Sequence, residues 1–593
     1  MNIKRFKASR YELIEVARGR RAADVVLCGG HVINVYSGEY VPYNVAIYKD
    51  RIAYVGPREV GVGEQTRIID VTGKYLSPGF IEPHAHPWVM YNPISLAEKV
   101  VPLGTTTIVN DNLFFYLHLG YDGTVEMIDQ LSALPLNQLW LARVVSQSEF
   151  PEERSWFEAQ QVQKLLEHED VIGTAEITRW PIVYEGDPFA IETVEYAKKL
   201  NKISDGHTAG CSYDKLNAIV AAGIDACHEA ITEEEALNRL RLGMWTTLRN
   251  SSLRPDFPSL LPLVVKGAVD TRRVLMTTDG PNPSYIARNG FVDGLLRQAV
   301  QAGVDPMKAV QMVTINAAQY LKLDDTIGGI APGKRADILV LPDLETFVPE
   351  RVFIAGKEVA KDGRLLAPLP AIDWNRFISR KPLTVSPAVL QDLRLYRPRA
   401  DGMTPVIQFI SNVITKRVDV ALPSSEGLVD ISAEPSMLYA ALIDRQGKWV
   451  VQGIVANFAS EIEGMASTYN TTTELLVIGR DPAAMALAAQ TVREMGGGIA
   501  IAERGAVVLK IELPFLGMMM TDSFEQTVEA HERLLAAVRA RGFTYGDLLY
   551  ALLFLTCDFL PGLRLTPLGL YEVKTGTLVR PREHLNVSQW TGR

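Results

Sequence analysis

The rhythm of hydrophobic and polar positions changes three times along this chain. From about residue 22 to 76, runs such as "ADVVLCGGHVINV" and "YNVAIYKDRIAYVG" alternate at the period of a half-buried strand, with Gly29-Gly30, Lys49-Asp50 and Thr72-Gly73 as turns. The same texture returns after residue 325, in "GGIAPGKRADILVLPDLETFVPERVFIAGKEVAKDG". Two β-rich flanks around a different middle predict one small β-sandwich assembled from both, over residues 1–76 and 323–370.

Between the flanks, short apolar or β-branched runs alternate with amphipathic helical segments such as "FEAQQVQKLLEHE" and "EEEALNRLRLG". Eight strands are expected, over 75–81, 105–110, 138–145, 171–177, 203–206, 223–227, 245–248 and 274–278. Thr232 and Glu235 form a capping-box signature at the start of one helix. Eight strand–helix repeats within residues 77–322 predict an α/β fold with a central (β/α)8 barrel. A doubly wound open sheet is the competing topology, but no GxGxxG follows the first strand. Beyond the Pro-containing linker "LAPLPAIDWNRFISRKPLTVSP", residues 380–593 read as a further C-terminal α/β domain.

Bulk composition narrows the classes of function. At 593 residues the chain exceeds one compact core. The net charge of −9, with Arg18 to Arg21 as the densest basic run, argues against a nucleic-acid partner. Cys28, Cys211, Cys227 and Cys557 are scattered, as expected of reduced thiols in a cytoplasmic protein. The apolar stretch 548–555 is too short to span a bilayer and reads as a buried core helix. No membrane association is expected, and a homo-oligomer, a dimer, is.

A barrel gathers the C-terminal ends of its strands on one rim, where active sites form. Strand one ends in His84 and His86, strand four near Glu176, strand five in His207, strand six in His228 and Glu229, and strand eight in Asp279. Residues i and i+2 share a face of an extended strand, so His84 and His86 can hold one ion together. Glu176, with two oxygens, can bridge to a second. Taken singly each has a plainer reading: a polar core histidine, a Glu176–Arg179 ion pair, a turn at Asp279-Gly280. Taken together, six metal-capable residues on matching strand ends predict a metal site of nitrogen and carboxylate ligands, suited to Zn, Mn or Fe. His31, His118, His168, His531 and His584 are read as structural.

"PGFIEPHAHP" and "GGIAPGKRADILVL" resemble the amidohydrolase superfamily. "GTAEITRWPIVYEGDP", "SDGHTAGCSYDKLNAIVAAGIDACHEAITEEEALNRLRLGM" and the C-terminal "TELLVIGRDPAAMALAAQTVREMGGGIAI" resemble its adenine deaminase family. The resemblance covers nearly the whole chain after residue 20. It implies two divalent metal ions on His84, His86, Glu176, His207, His228 and Asp279, with Glu176 replacing the carboxylated lysine of many relatives. It also implies hydrolytic deamination of a small heterocycle, C6 of a 6-aminopurine being attacked by metal-activated water. Asp279 is the expected proton carrier and Glu229 a candidate donor to a ring nitrogen. Arg249, Ser251, Asn282 and Tyr285 are candidate substrate contacts, the last two in a loop closing over the site.

The departures from the family pattern cluster around the substrate. Trp88, Val89 and Met90 stand where Glu-Ser-Ser is usual. Asp111, Asn112, Leu113 and Phe114 replace Asp-Pro-His-Glu, Gly280 replaces a second Asp, and "STYNT" (467–471) replaces a His-rich segment. Hydrolysis of a cyclic amide or imide is therefore a second expectation, and a catalytically silent metal-binding protein a third.

Overall fold

The computed structural model describes residues 3–267 and 269–585. Its centre is a ring of eight parallel strands: β1 (Phe80–Ala85), β2 (Thr105–Asp111), β3 (Asn137–Ala142), β4 (Val171–Thr174), β5 (Ile203–Ser204), β6 (Ala226–Cys227), β7 (Trp245–Arg249) and β8 (Val274–Thr277). Ladders join β1 through β5 and β6 through β8. The two arcs meet where Asp225 N–H donates to Ser204 O (2.8 Å) and where Ala85 bridges Asp279. The sheet is thus closed, which leaves no edge to cover. Ile81, Val109, Leu139, Ile172, Ile203, Ala226 and Leu275 contribute to a single buried cluster, the apolar filling of such a barrel.

The strands differ from their expected bounds at both ends of the pattern. The first expected strand divides at Gly79. Tyr75–Pro78 pairs with Ile338–Leu341 and His31–Asn34 in a seven-stranded flanking sheet, and only Phe80–Ala85 enters the barrel. Gly79 sits hard against the neighbouring strand, where a Cβ would lie 2.1 Å from Thr106 Oγ1, so the crossing point admits no side chain. Strands β3, β4 and β5 are shorter than expected because their C-terminal ends leave the ladder to form the rim, whereas β6 begins later, at Ala226 where Gly223 was expected.

The seven-stranded sheet draws strands from both flanks. It packs on a four-stranded sheet of Arg51–Gly56, Asn44–Tyr48, Val25–Cys28 and Arg67–Asp70 through a core that includes Leu27, Val45, Leu76, Val340 and Phe353. In the C-terminal part, alternate residues of the central strand Met437–Ile443 serve two cores, as strand geometry dictates. Tyr439, Ala441 and Ile443 face the helix Pro482–Glu494, with its Met485, Ala488 and Val492. Leu438, Ala440 and Leu442 belong instead to the large core that continues into the barrel. This second face brings the helix Leu548–Phe554 against the barrel rim.

Candidate metal centre

The rim gathers the six residues singled out by the strand ends. His84 and His86 follow one another at the end of β1, and their rings stand 4.9 Å apart at 87°. His84 also stacks on His228 from the end of β6, at 4.0 Å. Asp279 follows β8 with φ 64, a left-handed conformation that a non-glycine residue pays for and that clusters at functional sites. The β-bridge to Ala85 and the bond from Asp279 N–H to Thr277 Oγ1 (2.9 Å) hold it there.

Asp279 Oδ1 lies 3.4 Å from His84 Nε2 and 3.0 Å from His86 Nε2. Glu176 stands between the two histidine pairs: its Oε1 is 3.8 Å from His86 Nε2, and its Oε2 is 2.9 Å from His207 Nδ1 and 3.3 Å from His228 Nε2. Ligand atoms about 2.0–2.2 Å from one ion are separated from each other by roughly these distances. Four overlapping triads of potential ligand atoms result: His84–His86–Asp279, His84–Glu176–His228, His207–His228–Glu229 and His86–Asp111–Glu176. Buried polar atoms His84 Nε2, His207 Nε2 and Asp279 Oδ1 have no hydrogen-bond partner among the described residues, an arrangement that an ion would satisfy. Around them, among the described residues, the five carboxylates Asp111, Glu176, Asp205, Glu229 and Asp279 meet the two buried arginines Arg143 and Arg249 and the partly exposed Arg254. Donor set, spacing and charge all fit a binuclear divalent-metal site.

The supporting shell was not visible in the strand-end pattern. Asp205 Oδ2 is 2.6 Å from His84 Nδ1 and turns Nε2 of that ring toward Asp279, the usual second-sphere arrangement of a ligating histidine. Its signal was its place two residues before His207. Arg143, at the end of β3, donates from Nε to Asp111 (3.0 Å) and from Nη2 to Glu176 Oε1 (2.7 Å). Glu176 is therefore paired with Arg143, whereas Arg179 pairs with Glu153. Burial would raise the Glu176 carboxyl, but Arg143 and His207 outweigh it and hold it well below the usual range. Glu82, with no positive partner among the described residues, is pushed up by burial to about 7 and accepts from the hydroxyls of Thr277 and Thr278.

The second group of expected residues is placed differently. Arg249 and Glu229 line the cavity over the cluster, ion-paired to each other. Arg249 also donates to Asp279 Oδ2 (2.9 Å), and Arg254 to Glu229 Oε2 (2.7 Å). Burial would raise Glu229, but Arg249 dominates and keeps its carboxyl below the usual range. Ser251, Asn282 and Tyr285 lie outside the cavity. The Ser251 hydroxyl accepts from Leu253 N–H (3.3 Å). Asn282 is the N-cap of a helix, Pro283–Asn289, where a closing loop was expected, and it donates to Asp547 (2.7 Å). Asn followed by Pro at the first helical position is a helix start, and this local preference decides the matter. The Tyr285 hydroxyl accepts from Asn250 (3.3 Å).

The far wall of the cavity comes from the C-terminal part: Val413, Ile414, Tyr550, Phe554, Phe559 and Leu560, opposite Trp88 and Leu253. Tyr550 donates to the carbonyl of Gly280 and Phe559 lies edge-on to His207, 5.3 Å between centroids. The segment 467–471 lies off this cavity, Thr471 bonding Thr556 (2.7 Å).

Comparison with known proteins agrees with this geometry. Residues 75–359 match the amidohydrolase family and residues 412–577 the adenine deaminase C-terminal domain. An adenine-deaminase-like protein of Bacillus cereus is 33% identical over 578 residues, covering 97% of this chain and 96% of its own. The adenine deaminase of Moorella thermoacetica is 32% identical over 571 residues, 95% of this chain and 96% of that one. That of Cenarchaeum symbiosum is 31% identical over 574 residues, 95% and 93% of the two chains.

Proposed function

This chain belongs to the adenine-deaminase-like amidohydrolases, and from that premise we propose that it is a metal-dependent hydrolase that deaminates adenine or a closely related amino-heterocycle. The observation that carries the reading is Glu176, set between His86 on one side and His207 and His228 on the other, with Asp279 across the rim. His84, His86 and Asp279 would hold one ion, His207 and His228 the other, with Glu176 shared. Two divalent ions held there would supply hydroxide at neutral pH and would draw charge from the carbon under attack.

The protein's own groups do the rest. Burial would raise the Asp279 carboxyl, but the adjacent His84 and His86 rings and the charge of Arg249 hold it well below its ordinary range. It is therefore an ionised base at the point where water must lose a proton, and it can return that proton to the departing nitrogen. Arg249, fixed by Glu229 and Asp256, keeps Asp279 in place. Glu229 is positioned to accept a hydrogen bond from a ring N–H. Trp88 and the aromatic residues of the C-terminal part present flat apolar walls to a planar ring and exclude water.

The test is ammonia release from adenine by metal-loaded protein. His207→Ala should lose bound metal and activity while its circular dichroism stays native; full activity in that variant removes the site assignment. The apolar Trp88 and Leu560 walls favour one second reading, hydrolysis of a cyclic amide or imide. Ring opening of a cyclic imide without ammonia release from any amino-heterocycle would replace deamination by that activity.

A further inference from the structure

A second cavity, of about 430 Å³, lies where the barrel, the linker and the C-terminal sheet meet. It shares no lining residue with the cavity over the metal cluster. Ser146 and Ser148 line the second cavity while Gln147, between them, lines the first.

Its charge is unbalanced. Arg380, Arg445, Lys448 and Arg582 all line it, and among the described residues no carboxylate oxygen lies within 4.0 Å of their side-chain nitrogens. Arg445 is 4% exposed; its Nε donates to Lys381 O (2.7 Å) and its Nη1 to Thr473 O (2.5 Å), leaving Nη2 without a partner among the described residues. Burial pushes its guanidinium down to about 10, although Glu474 and Asp444 act in the other direction. Arg380 donates to the carbonyls of Leu117 and Tyr116 and lies 4.1 Å over the Trp156 ring. Arg582 donates to Pro567 O (3.2 Å) and lies 5.5 Å over Trp449.

The acids of the cavity are committed elsewhere or exposed. Glu474 takes Lys381 (2.9 Å) and Arg445 N–H (2.7 Å). Asp444 accepts the N–H groups of Gln446 and Lys448 within its own turn (3.0 and 2.9 Å), and Glu152 is exposed. Ser148 is 2% exposed, and its hydroxyl has no partner among the described residues. Arg445, buried with no carboxylate against its side chain, is costly to keep charged, and with Arg380, Lys448 and Arg582 beside it an anionic ligand would offset that cost. The volume exceeds what a bare inorganic anion needs, and Leu117, Phe150 and Pro567 provide an apolar wall for the remainder.

We propose that this cavity binds an organic phosphate carrying a flat ring, of nucleoside-monophosphate size, independently of the metal site. Calorimetric titration of the intact metal-loaded protein with uridine monophosphate, inorganic phosphate and uridine tests it; the uridine ring lacks the aminopurine that the metal site is read to accept. Uridine monophosphate should bind at least about tenfold tighter than either fragment. The double variant Lys448→Gln/Arg582→Gln should weaken it by about tenfold or more, and His207→Ala should leave it unchanged. If the double variant melts early, the exposed Lys448→Gln alone is read, with about threefold weakening expected. No binding at millimolar ligand, binding no tighter than phosphate alone, insensitivity to these variants, or loss in His207→Ala would each overturn the proposal.

Discussion

At the scale of single residues, the metal cluster depends on buried charges that hold one another. Arg143 is fully buried and its guanidinium reaches both Asp111 and Glu176. Arg143→Met would leave two buried carboxylates uncompensated, a change that costs about 3–5 kcal/mol where measured. The expected outcome is a lower melting temperature together with reduced metal content by elemental analysis, because Glu176 loses the partner that orients it. Asp558 makes a different prediction. Buried, and beside Glu153 and Glu149, it is pushed from 3.8 up to about 6 despite Arg179. Its contribution to stability is complete below about 3.8 and is lost as pH rises through 6, at most about 3 kcal/mol. Asp558→Asn does not ionise, so its melting temperature relative to the wild type should rise between pH 4 and pH 7; an unchanged difference contradicts the assignment. None of these partners was legible along the chain. Arg143 and Glu176 are separated by a strand–helix unit, and nothing local distinguishes Arg143 from a surface arginine.

At the scale of elements, local preference and long-range packing divide the outcome. The strand ends carrying His84, His207, His228 and Asp279 were legible because strand periodicity and barrel topology fix which end bears function. Asn282 was expected in a loop closing over the site, and its capping preference instead makes it the start of a helix. The helix Leu548–Phe554 reads from sequence as plain core, since every residue of "LLYALL" is apolar or aromatic. In the fold it also supplies Tyr550 and Phe554 to the active cavity. Its N-cap, Asp547, accepts from Tyr550 N–H (3.2 Å) and from Asn282 Nδ2 (2.7 Å), tying the helix to the barrel rim. Asp547→Ala should lower stability by about 1–3 kcal/mol in denaturant titration. Because Tyr550 is positioned by this helix, the same variant should raise KM proportionally more than it lowers kcat.

At the scale of the whole molecule, the barrel is not complete by itself. Its rim and the C-terminal sheet share one apolar core, in which Trp88, Phe114 and Phe115 belong with Leu442, Phe515, Leu549 and Leu552. A chain ending at residue 379 would expose that face, and patches of such size drive association. It should appear in the insoluble fraction, or as aggregates by size exclusion, whereas the full chain remains dispersed. The sequence by itself determined the alternation of strands and helices, the metal-capable residues at the strand ends and the resemblance that runs the length of the chain. These are periodic or local properties, set by side-chain spacing and backbone preference. Only the tertiary structure decided that Asp205 and Arg143 support the cluster, that Glu229 is held by two arginines, and that a distant helix walls the substrate cavity. Those arrangements are made by contacts between residues tens to hundreds of positions apart, where buried charge and shape complementarity, rather than local pattern, select the partner.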